Sequence, residues 1–133
     1  MSAPVFADTF FFLAVLNPRD AAHRRAVEMS RSLRRPRMTT AWVLTEVGDA
    51  FAKDNREAFL DLLKLVRTNP LMRVIEPTQE WFDRGVNLYR ERPDKDWPLT
   101  DCISFAVMHE FGLRDALTCD RHFEQAGFRE LLK

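Results

Sequence analysis

Short apolar segments alternate with longer helical stretches along this chain, and that alternation restricts the fold more than any other feature. Val5-Phe6-Ala7, Met38-Thr39-Thr40, Met72–Ile75 and Ala116-Leu117-Thr118 have the length and composition of strands. Helical patterns lie between them. Phe10–Leu16 is broken by Asn17-Pro18, and Asp20–Arg35 is polar, Arg-rich and closed by Pro36. Trp42–Lys53 carries Val43, Leu44, Val47, Ala50 and Phe51 at helical spacing. Asp54-Asn55 then opens a helix whose face is Phe59, Leu62, Leu63 and Val66. A further helix starts at Thr78, one spans Leu99–Phe111 and ends at Gly112, and a short one surrounds Phe123; residues 92–98 form a loop. Strands alternating with helices predict an α/β fold with a parallel sheet covered on both faces. In such sheets functional groups gather beyond the carboxyl ends of the strands.

Composition bounds what this sheet belongs to. The 133 residues fit one domain, 1–133, and 46% hydrophobic with 30% charged residues argues against disorder. Eleven Phe and three Trp supply the bulk of a core. The longest apolar run, Phe10–Leu16, is far short of a membrane span, and Asp8 stands where a signal peptide would carry basic residues. Cys102 and Cys119 make a poor disulfide framework and read as buried thiols of a reducing compartment. The expectation is a soluble, cytoplasmic protein. Net charge is zero, but residues 1–40 hold seven Arg against Asp8, Asp20 and Glu28. Overall charge therefore does not by itself point to nucleic-acid binding, while a local basic stretch stays open.

Four carboxylates stand out. Asp8 follows the first strand and Asp120 the last. Asp101 lies in the first turn of the helix from Leu99, and Glu46 sits among apolar neighbours in the helix from Trp42. An Asp after a strand also suits a turn or cap, and one in a first helical turn is favoured by the helix dipole. Glu46 on an apolar face needs a cation, a basic side chain or a proton. If the sheet gathers all four, their repulsion raises at least one pKa unless a dication relieves it. Hard carboxylate oxygens suit Mg²⁺ or Mn²⁺, and the matching chemistry is phosphoryl transfer to water.

These residues carry a resemblance. Val5-Phe6-Ala7-Asp8-Thr9, Thr39–Val47 with Glu46, Asp96–Cys102 with Asp101, and Leu117-Thr118-Cys119-Asp120-Arg121-His122-Phe123 resemble, in order and spacing, the motifs of PIN-domain ribonucleases, most closely VapC-type toxins. The resemblance implies a three-layer α/β/α fold. It implies Asp8, Glu46, Asp101 and Asp120 as metal-site and catalytic acids, and Thr9 and Thr118 as hydroxyls that orient carboxylates or water. Asp96 lies in a segment shared with close relatives, though beside Lys95 it also reads as a surface partner. It further implies Mg²⁺ or Mn²⁺, a structured RNA substrate such as tRNA, a cognate antitoxin and a homodimer. Hydrolysis of this kind leaves a 5′ phosphate and a 3′ hydroxyl.

Other features keep two readings. Arg24, Arg31 and Arg35 share one side of the Arg-rich helix, as a solvated face or as RNA-phosphate contacts. Phe10–Phe12 and Trp42 fill the core or a dimer face, or stack on bases. Trp97 walls a groove or anchors its loop. His122 makes a cap or surface hydrogen bond, or touches phosphate. No zinc pattern, Walker loop or Ser-His-Asp set is visible. A phosphatase using Asp8 as nucleophile would want a second Asp where Phe10 stands, and a receiver domain would want a Lys after the last strand. The remaining alternative is a binding module without catalysis.

Overall fold

A computed structural model describes residues 3–133. Its elements run β1 (Val5–Ala7), α1 (Thr9–Leu16), α2 (His23–Ser32), β2 (Arg37–Thr40), α3 (Ala41–Ala50), α4 (Arg56–Thr68), β3 (Met72–Ile75), α5 (Gln79–Glu91), α6 (Leu99–Glu110), β4 (Asp115–Leu117), α7 (Arg121–Gln125) and β5 (Arg129–Glu130). The sheet order is β3-β2-β1-β4-β5, and every pairing is parallel. Every residue of β1, β2 and β4 is buried, as strands covered by helices on both faces must be. The expected three-layer α/β/α architecture is the one observed.

Local chemistry sets the element ends. The side chains of Thr40, Asn55 and Thr78 accept from the backbone N–H of Val43, Ala58 and Trp81, which starts α3, α4 and α5. Helix α6 closes on Gly112, whose φ of 65° is open to glycine; Gly112 N donates to His109 O and Leu113 N to Met108 O. The same double bond recurs after α7 at Gly127, from Gly127 N to Glu124 O and Phe128 N to Phe123 O. These two turns launch β4 and β5. An aromatic cluster beneath them joins Trp97, Phe105, Phe123 and Phe128.

Several expectations shift. The Arg-rich helix is shorter than 20–35: Asp20 accepts from Ala22 N and holds a turn before it, and Leu33–Pro36 is extended connection. Arg37 belongs to β2, where its buried guanidinium donates to Ser30 O and Leu33 O and closes the end of α2. The helix expected over 42–53 stops at Ala50, and β4 begins at Asp115, so Thr118 falls just past its end. Strand β5 was not expected. Cys119 is exposed, against the expectation of two buried thiols. Phe11 and Phe12 are buried in the core and Phe10 packs against it.

Candidate active site

The strand order reverses between β1 and β4, because the chain grows outward from β1 to β3 on one side and resumes with β4 on the other. Crevices form beyond the carboxyl ends of strands at such a point. Asp8 follows β1 at the start of α1, and Thr118 and Asp120 follow β4. The first turn of α6 delivers Asp101, and α3 delivers Glu46 from beside β2.

Asp8 is buried, and its Oδ2 accepts a 3.0 Å hydrogen bond from the Thr118 hydroxyl. The same hydroxyl accepts from Asp120 N at 3.0 Å, so Thr118 ties the ends of β1 and α7 together. Asp120 caps α7 by accepting from His122 N. On the other side, the Thr9 hydroxyl donates to Glu46 Oε1 at 2.6 Å. Glu46 is half-buried, so water can reach it.

The acids act on one another. Burial pushes the Asp8 carboxyl up to about 7, the Asp101 and Asp120 charges push the same way, and the bonds from Thr118 and the Thr9 backbone pull against them. Burial likewise pushes Asp101 up to about 7, helped by the charges of Asp120 and Glu46. The field reaches Cys102, whose thiol is pushed up to about 11 by burial and by Asp101. No Lys or Arg forms an ion pair with any of the four acids among the described residues. Their basic neighbour is His122, with Nδ1 3.1 Å from Asp101 Oδ2 and 3.2 Å from Asp120 Oδ1. Asp101, Asp120 and His122 each offer a ligand atom, and these atoms lie within 4.8 Å of one another. That donor set, two carboxylates and an imidazole beside two further acids, fits a divalent cation.

The structure thus brings Asp8, Glu46, Asp101, Asp120, Thr9 and Thr118 to one sheet edge. It does not bring Asp96, which is exposed in the loop before α6 and lines a separate groove. Trp97 is buried and its Nε1 donates to Gln125 Oε1, so it anchors the loop. Arg35 corrects the expected Arg face: it lies outside α2, donates to Ala3 O and pairs with Asp115 Oδ2 at 2.7 Å. Arg24 and Arg31 are exposed on α2. The bridging position of His122 was missed. Its signal is the spacing Asp120-x-His122 in the first turn of a short helix, which turns the ring toward the residue that caps it.

No family model matches the sequence. The chain is 27% identical over 127 residues to the 23S rRNA-specific endonuclease VapC20 of Mycobacterium tuberculosis, covering 96% of this chain and 97% of the relative. The crystal structure of M. tuberculosis VapC20, described as a sarcin–ricin loop cleaving toxin, superposes with a TM-score of 0.87 at 26% identity, covering 96% and 98% of the two chains. VapBC2 from Rickettsia felis, solved bound to a DNA fragment from its promoter, has a TM-score of 0.66 at 11% identity, over 95% and 96% of the two chains, and shares the fold. The resemblance to VapC-type toxins therefore holds along nearly the whole chain.

Proposed function

We propose that this chain is a metal-dependent endoribonuclease and the toxin of a toxin–antitoxin pair, built as one PIN-type domain over residues 1–133. The observation that carries this is the convergence of Asp8, Glu46, Asp101 and Asp120 at one sheet edge, with two buried carboxyls raised by their surroundings and no Lys or Arg to neutralise them. A catalytic site for phosphodiester hydrolysis has a use for that arrangement, whereas a surface that only grips RNA gains nothing from carboxylates that repel phosphate.

Asp101, Asp120 and His122, flanked by Asp8 and Glu46, would hold the ion, and the predominance of carboxylate oxygens favours Mg²⁺ or Mn²⁺. When bound, such an ion supplies charge neutralisation and Lewis acidity at the phosphate. The chain's own groups do the rest. Thr118 fixes the Asp8 carboxylate and Thr9 fixes that of Glu46, so neither acid loses rotamer freedom during the reaction. With the ion bound the carboxylates stay ionised, so that Asp8, fixed by Thr118, is placed to accept a proton from the attacking water, while the leaving 3′ oxygen takes its proton from solvent. The products carry a 5′ phosphate and a 3′ hydroxyl.

VapC20 is named for 23S rRNA and described as cleaving the sarcin–ricin loop, so a structured rRNA loop is the first substrate to try and tRNA the second. We assign a cognate antitoxin as partner and the cytoplasm as location. No helix of the described residues is long and apolar enough to cross a membrane. For a homodimer, Phe11 and Phe12 are committed to the core, which leaves α1 only the partly buried Phe10, Leu13, Val15 and Leu16 to offer. Leu60 and Leu65 of α4, 52% and 67% exposed, offer the alternative. Arg24 and Arg31 are proposed to meet RNA phosphates at the periphery.

The test compares wild type with Asp8→Asn and Asp101→Asn on a hairpin carrying the rRNA loop, in Mg²⁺ and in EDTA, with circular dichroism to follow the fold. Each variant is expected to lose at least about a hundredfold in cleavage while staying folded. Cleavage by Asp8→Asn at the wild-type rate refutes the site. RNA retention without cleavage in Mg²⁺ favours the binding module.

A further inference from the structure

A groove of about 910 Å³ opens where α5 ends and α6 begins, in the size range of ligand clefts. Tyr89, Arg90, Lys95 and Asp96 line it, and it extends to Leu99 and Cys102, the latter next in sequence to Asp101. The groove therefore adjoins the turn that carries a site acid.

Its walls are fixed. Arg92 grips Asp94 through Nε at 3.0 Å and Nη2 at 2.9 Å, and its guanidinium carbon lies 5.2 Å from the centre of the Trp97 ring. Trp97 in turn stands edge-on to Phe105 and donates to Gln125 of α7, the helix that Asp120 caps. The loop is thus tied to both elements that supply site acids, and the groove is formed before any ligand arrives.

Its free groups are two cations, the Asp96 carboxylate and an aromatic ring, so positive charge outnumbers negative along its wall. Arg90 and Lys95 pair with no carboxylate among the described residues; Arg90 donates only to the Asn87 side chain. Tyr89 is 55% exposed. A pocket of acids repels the phosphates it must cleave, so a polyanion reaching it needs fixed cations alongside. Cations combined with an exposed ring match unpaired nucleic acid, whose phosphates meet the cations and whose bases stack on the ring. A duplex keeps its bases inside and leaves the ring unused.

We propose that this groove receives an unpaired stretch of the RNA substrate, with phosphates on Arg90 and Lys95 and a base on Tyr89, and leads it to the acids. The inference rests on the ribonuclease reading, and its test separates the two.

Binding of a labelled hairpin RNA with a single-stranded loop, and of a perfect duplex of equal length, is measured by fluorescence anisotropy with Asp8→Asn protein in Mg²⁺. Wild-type cleavage of the hairpin is followed in parallel. In the same background, Tyr89→Ala is expected to weaken hairpin binding at least about fivefold, and duplex binding much less. Arg90→Ala with Lys95→Ala is expected to lower the slope of log Kd against log salt by about 1.4, at about 0.7 per phosphate contact on a single strand. Lys64→Ala, an exposed cation on α4 outside the groove, serves as the charge control, and thermal melts check that each variant folds. If wild type cleaves but the groove variants bind with the affinity and salt slope of the Lys64 control, the groove is not the RNA path and the nuclease reading survives. If Tyr89→Ala weakens duplex and hairpin equally, base stacking is wrong. If wild type neither binds nor cleaves RNA, both readings fall.

Discussion

A carboxyl group removed from water and set beside others like it holds its proton more tightly, and Asp8 and Asp101 both do so, to about 7. The consequence for stability has a definite sign. Between about 4 and about 7 the native protein binds more protons than the unfolded chain, so without metal its stability falls as pH rises through that window. The contribution is fully present below the unfolded pKa and lost by the time Asp8 and Asp101 ionise in the folded state. We expect the melting temperature in EDTA to decline from pH 5 to pH 8 and to flatten in Asp8→Asn, which removes one of the two groups. Mg²⁺ should raise it more at pH 8 than at pH 5, because only the ionised cluster attracts the ion. An Asp8→Asn slope equal to that of wild type would show that burial of this carboxyl is not what the protein works against.

At the scale of elements, the position of Asp101 depends on how α6 packs on α5. Gly85 of α5 faces Ile103, two residues beyond Asp101; a Cβ placed there would lie 3.0 Å from the Ile103 backbone Cα and would collide with its side chain. Alanine favours a helix over glycine by about 1 kcal/mol, but contact with backbone cannot be relieved by a rotamer change. Gly85→Ala is therefore expected to destabilise the protein by about 1–3 kcal/mol and to shift the first turn of α6. Thermal denaturation checks the first and cleavage rate the second; an unchanged melting temperature would mean the two helices slide freely. The strand-helix alternation and the helix ends marked by Asn55, Thr78 and Gly112 were legible in the sequence, because each rests on local chemistry. Strand β5 was not: two residues carry no periodicity, and Arg129 and Glu130 become a strand only because the turn at Gly127 lays them beside β4. The acids were legible as residue types at strand and helix ends. The bridging by His122 and the double role of Thr118 were not, because both depend on how closely α7 approaches β1. Arg35 was misassigned for the same reason, its partner Asp115 being 80 positions away.

Across the whole molecule the two edges of the sheet have opposite characters. Beyond the carboxyl ends lie acids that, among the described residues, pair with no Lys or Arg and have His122 as their basic neighbour. At the amino-terminal end of β4, Asp115 is held by Arg35 at 2.7 Å and by Arg129 at 2.9 and 3.0 Å. Burial works to raise the Asp115 carboxyl, but the bonds from Arg129 and Arg35 outweigh it and hold it below the usual range. Its contribution to stability is present above the unfolded pKa and disappears as the solution is acidified below it. Asp115→Ala is expected to destabilise the fold by up to about 3 kcal/mol, since two cations lose their partner. Measured on the folded protein, RNA binding and its salt slope should not move; a changed slope would restore Arg35 to the RNA-contacting surface.

Thr118 and Asp8, joined by a hydrogen bond, are 110 positions apart in the chain. A polypeptide still emerging from the ribosome can carry Asp8 and Glu46 long before Asp101 and Asp120 exist, and β4 must settle against β1 before the four acids meet. Any chemistry that needs all four acids together is therefore out of reach of a partly made chain, and waits on the docking of β4 against β1.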